Sequence, residues 1–184
     1  MPRRLVGERV LLRGPVPTDA DDRLAAGFDH EVVLLQGGEP SQFTQPMTRE
    51  WADRWYERMA TDENPWAWMI EHEGRHVGSV RLHNHVPLDR KASYAIGLNS
   101  SGLLGRGLGT EVTRLVLDFA FTPEPDGADL HRVELRVLDF NGRGIGCYRR
   151  CGFVEEGRER EASFVDGAWR DYLLMAVLET DPRA

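Results

Sequence analysis

The stretch Gly102-Leu103-Leu104-Gly105-Arg106-Gly107-Leu108-Gly109-Thr110-Glu111-Val112-Thr113-Arg114-Leu115-Val116-Leu117-Asp118-Phe119-Ala120-Phe121 decides the fold. Its first half sets Gly105, Gly107 and Gly109 at alternate positions. Its second half places Val112, Leu115, Val116 and Phe119 at i, i+3, i+4 and i+7, the stripe of an amphipathic helix. Residues 92–98, just upstream, read as a strand. A strand therefore runs into a glycine-rich turn that opens a helix. That order builds an anion site. Glycine lets the backbone approach a ligand and take φ > 0. The first amides of a helix have no internal partner, and the macrodipole adds about half a positive charge there. A phosphate or pyrophosphate is the expected guest.

Two nucleotide motifs fit poorly. Gly-x-x-x-x-Gly-Lys-Ser/Thr needs a lysine after the glycines, and Lys91 is the chain's only lysine. A dinucleotide Gly-x-Gly-x-x-Gly pattern read from Gly105 and Gly107 ends on Thr110, and it belongs near a first strand. Here roughly a hundred residues come first.

Outward from this stretch, the chain reads as one domain over residues 1–184. Apolar content of 41% and charged content of 29% suit a globular protein. The net charge of −7 argues against a nucleic-acid partner. No apolar run approaches the ~18 residues of a membrane span, so no membrane partner is expected. Residues 1–9 lack an apolar signal core, and a cytoplasmic location is expected. Cys147 and Cys151 lie four apart, with no further ligand at zinc spacing. They read as two reduced cysteines near one helical face, with no metal.

In chain order, residues 8–14 read as a strand ended by Pro15 and Pro17. Thr18 or Asp19 caps a helix running through Leu24 to Phe28. Gly37, Gly38 and Pro40 mark a loop. Residues 47–60 read as a helix with Trp51, Trp55 and Met59 along one stripe. Residues 66–71 and 76–85 form a hairpin across Glu73-Gly74-Arg75. In its second strand Val80 and Leu82 share one face; Ser79, Arg81, His83 and His85 share the other. Residues 122–129 form a loop, and 131–138 a strand with Val133, Leu135 and Val137 alternating with charges. Residues 145–150 read as a short helix ended by Gly152. Residues 154–161 and 170–178 are two last strands around Asp166-Gly167.

Gly107 and Gly109 after a strand resemble the acyl-CoA pyrophosphate loop of the GNAT superfamily of N-acetyltransferases, whose pattern is Gln/Arg-x-x-Gly-x-Gly/Ala. Leu104 stands where Gln or Arg is usual. Asn141, Gly144, Tyr148, Gly152 and Phe153 match a second pattern of that superfamily: Asn, a small residue three on, Tyr seven on, then Gly-Phe. The two occur in the expected order with a strand between. Residues 109–111, 132–137 and 171–175 resemble the ribosomal-protein alanine acetyltransferase branch.

The resemblance implies an α/β (α+β) fold. Its sheet is mixed, mostly antiparallel, six- to seven-stranded and splayed between the fourth and fifth strands, with about four flanking helices. It implies acetyl-CoA, or another acyl-CoA, bound in the splay. Ile96, Gly97 and Leu98 would meet the pantetheine arm and the thioester carbonyl. Leu104, Gly105, Arg106, Gly107, Leu108, Gly109 and Thr110 would hold the pyrophosphate. Asn141 and Gly144 would contact the cofactor, and Tyr148 would lie near the sulfur as donor to the leaving thiolate. The acceptor is an amine, either a small molecule or a protein N-terminus, and a homodimer is one expected state. The residues leave the base open. The fourth strand carries no carboxylate. His83 or His85 can accept a proton near pH 7, water is the other route, and Glu71 and Glu134 come next. A CoA-binding module with the same fold and little catalysis is the alternative.

Overall fold

The computed structural model describes residues 2–182. In chain order its elements are β1 (Leu5–Val6), β2 (Val10–Arg13), α1 (Asp19–Ala26), α2 (His30–Leu35), α3 (Arg49–Ala60), β3 (Ala67–His72), β4 (Arg75–Val86), β5 (Lys91–Leu98), α4 (Leu108–Phe121), β6 (Arg132–Leu138), α5 (Gly142–Arg150), β7 (Val154–Val165) and β8 (Ala168–Leu178). The strands form an eight-stranded sheet in the order β1-β2-β3-β4-β5-β6-β8-β7. The β5–β6 pair is parallel and the others are antiparallel. The mixed, mostly antiparallel sheet implied by the resemblance is therefore present, with one more short strand.

The extra elements are those too short to carry a period. β1 has two residues, so no alternation can show. α2 has six, less than two turns, and Asp29 starts it by accepting from the Val32 amide at 3.2 Å. α1 begins where expected and stops before Gly27, whose φ of 64° lies outside the helical region. β7 and β8 run closer to the Asp166-Gly167 turn than expected, through register shifts between Glu155 and Gly157 and between Glu159 and Ser163.

Alternation assigns the two faces. Trp68, Val80, Leu82 and Tyr94 are buried on one face, against Val112, Val116 and Leu117 of α4. Each such apolar side chain contributes about 1.5–3 kcal/mol on burial. The Trp68 and Phe119 rings meet edge to face at 5.3 Å. On the other face α1 packs on α3 and β4. Met69, Ser79 and Gly97 are ladder partners there, as are Ala67, Arg81 and Ala95. Arg13 anchors α1 to this face: its guanidinium meets Asp19 at 2.7 Å and Glu71 at 2.6 Å, and Asp19 is fully buried.

The start of α4 is fastened to β2 by Glu111. Its Oε1 accepts from the Arg9 amide at 2.7 Å and the Val10 amide at 3.3 Å; its Oε2 accepts from Arg9 Nε at 2.9 Å. A Cβ on Gly7 would sit 2.5 Å from Glu111 Oε1, so only glycine leaves room for the carboxylate. Burial alone would raise the Glu111 pKa, but these hydrogen bonds outweigh it and hold it below the ordinary value. The folded pKa is thus below the unfolded one, so the stabilisation is present above the unfolded pKa of ~4.3 and is lost as pH falls through the folded value. Glu111→Gln should lower Tm by roughly 2–10 °C at pH 7. That deficit should shrink toward pH 3 in thermal melts. A deficit constant with pH would mean that the carboxylate charge is not what anchors α4.

Candidate functional site

The site begins where two strands part. β5 and β6 are paired only over Lys91, Ala92 and Ser93, against Arg132, Val133 and Glu134. Beyond Ser93 they diverge. On its other edge β5 stays bonded to β4 as far as the Asn99 amide, which donates to the Val77 carbonyl at 2.8 Å. Ladder bonds alternate along a strand. The register therefore sends the N–H and C=O of Ile96 and Leu98 away from β4, into the gap that β6 has left. The gap is part of a cleft of about 1350 Å³, lined by residues from both faces of the sheet.

The glycine-rich loop closes one end. Among the described residues, the amides from Gly105 to Thr110 have no hydrogen-bond partner; the first helical bond runs from the Glu111 amide to the Gly107 carbonyl at 3.1 Å. Gly107 is the N-cap of α4 at φ 83°, a left-handed conformation that disfavours any side chain. The loop is held from outside: Arg9 Nη1 donates to the Arg106 carbonyl at 2.8 Å. These free amides at a helix start suit a pyrophosphate. Leu104, Gly105, Gly107, Leu108, Gly109 and Thr110 line the cleft. Arg106 is exposed and lies outside its lining.

α5 forms the facing wall. Asn141 caps it, accepting from the Gly144 amide at 2.9 Å and donating to the Leu35 carbonyl at 3.4 Å. Both Asn141 and Gly144 line the cleft. A Cβ on Gly144 would meet the Asn141 side chain at 2.9 Å, so this cap needs the small residue. Tyr148 projects into the cleft with its ring 5.7 Å from Phe153 and 6.2 Å from Tyr94. Its hydroxyl has no partner among the described residues. Burial, with the nearby thiols of Cys147 and Cys151, pushes its pKa well above the ordinary phenol value. It is thus a protonated donor across the physiological range.

Neighbouring contacts lock α5 to α4. The Tyr94 and Thr113 hydroxyls lie 2.8 Å apart, and Thr113 donates to the Gly109 carbonyl at 2.7 Å. Thr110 Oγ1 donates to Cys147 Sγ at 3.4 Å, and Cys151 Sγ donates to the Thr110 carbonyl at 3.7 Å. Both cysteines are free thiols. The Cys151 thiol, then the Thr110 and Thr113 hydroxyls, hold the Cys147 thiol below its ordinary range despite burial.

The structure does not bring the two histidines to this cleft. An extra residue in β4 at Asn84, φ 51°, shifts the register between His83 and Val86. The shift moves His85 to the face opposite His83, correcting the shared face expected from alternation, because a bulge inverts parity. His85 meets the Trp66 ring edge-on at 4.6 Å, and neither histidine lines the cleft. Glu71 is paired with Arg13, and Glu134 with Arg132 at 3.2 Å; both also lie outside the lining. Of the carboxylates that do line it, Asp29 has both oxygens accepting backbone amides, from Val32 at 3.2 Å and Ser101 at 2.7 Å.

The cleft also contains residues that motif reading passed over. Under α1–α3 it is lined by Arg23, Trp55, Met59, Asp62, Ser79 and Arg81. Trp51 and Trp55 carried a signal as a helical stripe. Arg23 and Arg81 carried none, since a charged residue in a helix or strand reads as a solvated one.

Comparison with known proteins agrees with this geometry. The family described as Acetyltransferase (GNAT) domain matches residues 9–154. A protein named Probable N-acetyltransferase YjcK from Bacillus subtilis (strain 168) is 25% identical over 183 residues, 96% of this chain and 98% of its own. A Spermidine N(1)-acetyltransferase from Vibrio cholerae is 33% identical over 104 residues, 56% of this chain and 57% of its own. Among solved structures, spermidine N-acetyltransferase from Vibrio cholerae in complex with CoA and spermine superposes with a TM-score of 0.74 at 22% identity, covering 94% of this chain and 96% of that one. The sheet that parts between β5 and β6, the unbonded amides at the start of α4 and the match over most of the sequence have one reading: the chain belongs to the GNAT acetyltransferase family, the acyl-CoA-dependent N-acyltransferases.

Proposed function

We propose that the chain transfers the acetyl group of acetyl-CoA to the primary amine of a small molecule, by direct attack in a ternary complex. The supporting observation is convergence on one cleft: unbonded amides at 105–110, an unpaired β5 edge at Ile96 and Leu98, and the Tyr148 hydroxyl. The amides suit the pyrophosphate, the open edge suits the pantetheine arm, and the phenol suits the sulfur. Relatives named for spermidine support an amine as acceptor. The roof that α3 contributes with Trp55 and Met59 favours a small molecule over a protein N-terminus.

In this reading the amine nitrogen bonds to the acyl carbon, the C–S bond breaks and CoA leaves as thiolate. Preorganised N–H groups on the β5 edge stabilise the charge that develops on the carbonyl oxygen. Tyr148 stabilises the departing thiolate. Its raised pKa makes it a hydrogen-bond donor first, because a thiol near ~8.5 is the stronger acid of the two. The amine must arrive neutral, although alkyl ammonium groups titrate near ~10.4 and α-ammonium groups near ~8. The described cleft lining holds no histidine and no free buried carboxylate, so the amine's proton leaves through solvent. The second reading, a CoA-binding module without turnover, is decided by thiol release in the presence of acceptor amines.

Three outcomes are expected. Gly107→Ala should weaken CoA binding by an order of magnitude or more in calorimetry, since a Cβ strains the left-handed cap and presses at 3.2 Å on the Arg9 guanidinium that holds the loop; unchanged affinity in a folded variant would move the anion site elsewhere. Tyr148→Phe should lower kcat by ~10²–10⁴-fold with a smaller change in the KM for acetyl-CoA. A rate within twofold of wild type would leave the hydroxyl without a role. Activity should rise with pH toward the amine's own pKa, and His83→Ala and His85→Ala should keep that profile. An acidic limb near pH 6–7 that disappears in either variant would restore a histidine base.

A further inference from the structure

Arg13 and Arg23 lie on the same side of the sheet and are treated differently. Arg13 is held by two carboxylates, Asp19 and Glu71. Arg23 has none among the described residues. Its Nη1 donates to the Gly27 carbonyl at 2.5 Å, and its guanidinium carbon lies 5.3 Å from the Trp51 ring centre and 5.8 Å from that of Phe28. Burial acts against its charge, and no anion offsets that cost. Two aromatic rings flank the guanidinium, and the residue lines the cleft.

A second guanidinium faces the same space. Arg81 has Ala67 and Ala95 as its ladder partners on either side, all three lining the cleft. Neither alanine reaches beyond its first carbon, so a slot is left around the arginine. The Arg81 side chain has no ion pair or hydrogen bond among the described residues. The carboxylates nearby do not balance these charges. Asp29 is consumed by two backbone amides, and Asp62 is exposed and accepts from the Asn64 amide at 3.0 Å. On this side of the cleft two guanidiniums thus have no ion-pair partner among the described residues, although the two carboxylates Asp29 and Asp62 also line it.

We infer that the acceptor carries a carboxylate on the same molecule as its reacting amine, and that Arg23, assisted by Arg81, recognises it. The inference rests on the acyl-transfer reading above and narrows its substrate class to amino-acid-like amines. A carboxylate matches the planar fork of a guanidinium with two parallel hydrogen bonds. It also supplies the missing counter-charge. A polycationic acceptor would meet two unpaired guanidiniums, with Asp29 already bonded to two backbone amides and the exposed Asp62 as the carboxylates beneath α1–α3. A guanidinium beside the amine disfavours its ammonium form, which suits a site whose lining offers no dedicated base.

The test compares amino acids with their decarboxylated twins on the full chain: tryptophan with tryptamine, lysine with cadaverine, methionine with 3-(methylthio)propylamine. Thiol release from acetyl-CoA gives kcat/KM for each. The carboxylate-bearing member should be favoured at least tenfold, mainly through KM. Arg23→Gln should bring the ratio toward one, and Arg23→Lys should restore part of it. Equal or reversed preference in the wild type, or the same preference in Arg23→Gln, overturns the proposal. So does a tenfold loss of CoA affinity in Arg23→Gln, which would make the residue part of the CoA site. Tryptophan fluorescence gives an independent reading, because Trp51 lies against the guanidinium. Titrating CoA-loaded protein with methionine or 3-(methylthio)propylamine should perturb emission for the carboxylate-bearing member alone, and should not do so in Arg23→Gln. If no amine releases thiol, the acyl-transfer reading fails, and this titration still decides what Arg23 binds.

Discussion

The structure depends on a ladder that stops early. β5 and β6 hold each other through Lys91, Ala92 and Ser93 and then separate, although both continue as strands bonded to their other neighbours. An unpaired strand edge inside a protein is costly, because each buried polar group left without a partner costs ~1–3 kcal/mol. Ile96 and Leu98 present that edge to a cleft instead of to a third strand. The sheet's own strongest interaction is withheld there, so an extended substrate with amide groups can complete it. Everything else in the site braces the opening.

The bracing is distributed over weak contacts that converge on one helix start. Glu111 ties α4 to the beginning of β2, and Arg9 reaches on to the loop carbonyl of Arg106. Tyr94, Thr113 and the Gly109 carbonyl form a buried chain from β5 to the same turn. Thr110 meets Cys147, and Asn141 meets the end of α2. Each contact satisfies a group that the open geometry would otherwise leave exposed. Together they hold the amides from Gly105 to Thr110 fixed before any anion arrives, and a preorganised donor array binds without the ordering cost of a floppy one.

Electrostatics divide the cleft into two halves. On the α4 and α5 side the positive field comes from backbone amides, with little dependence on side chains. On the α1–α3 side it comes from guanidiniums that no carboxylate pairs among the described residues.

The sequence by itself determined the parts whose signal is local. The glycine spacing at 105–109 sits on the strand-to-helix turn it suggested, and the Asn141–Phe153 pattern lies on α5 with Tyr148 in the cleft. The strand order and the parting of β5 from β6 came through the resemblance carried by those two motifs, since no single residue in 94–98 marks an unpaired edge. Elements such as β1 and α2 escaped because two or six residues are shorter than the period that would reveal them. Parity placed His83 and His85 on one face, and the extra residue at Asn84 separated them, because a bulge leaves no mark in alternation. Only the tertiary structure decided that Arg13 is paired and Arg23 is not. Both are arginines near acidic residues in sequence, with Asp21 and Asp22 adjoining Arg23. Whether such a charge is neutralised depends on which way a helix turns its side chains, and the packing of α1 on α3 and β4 sets that direction.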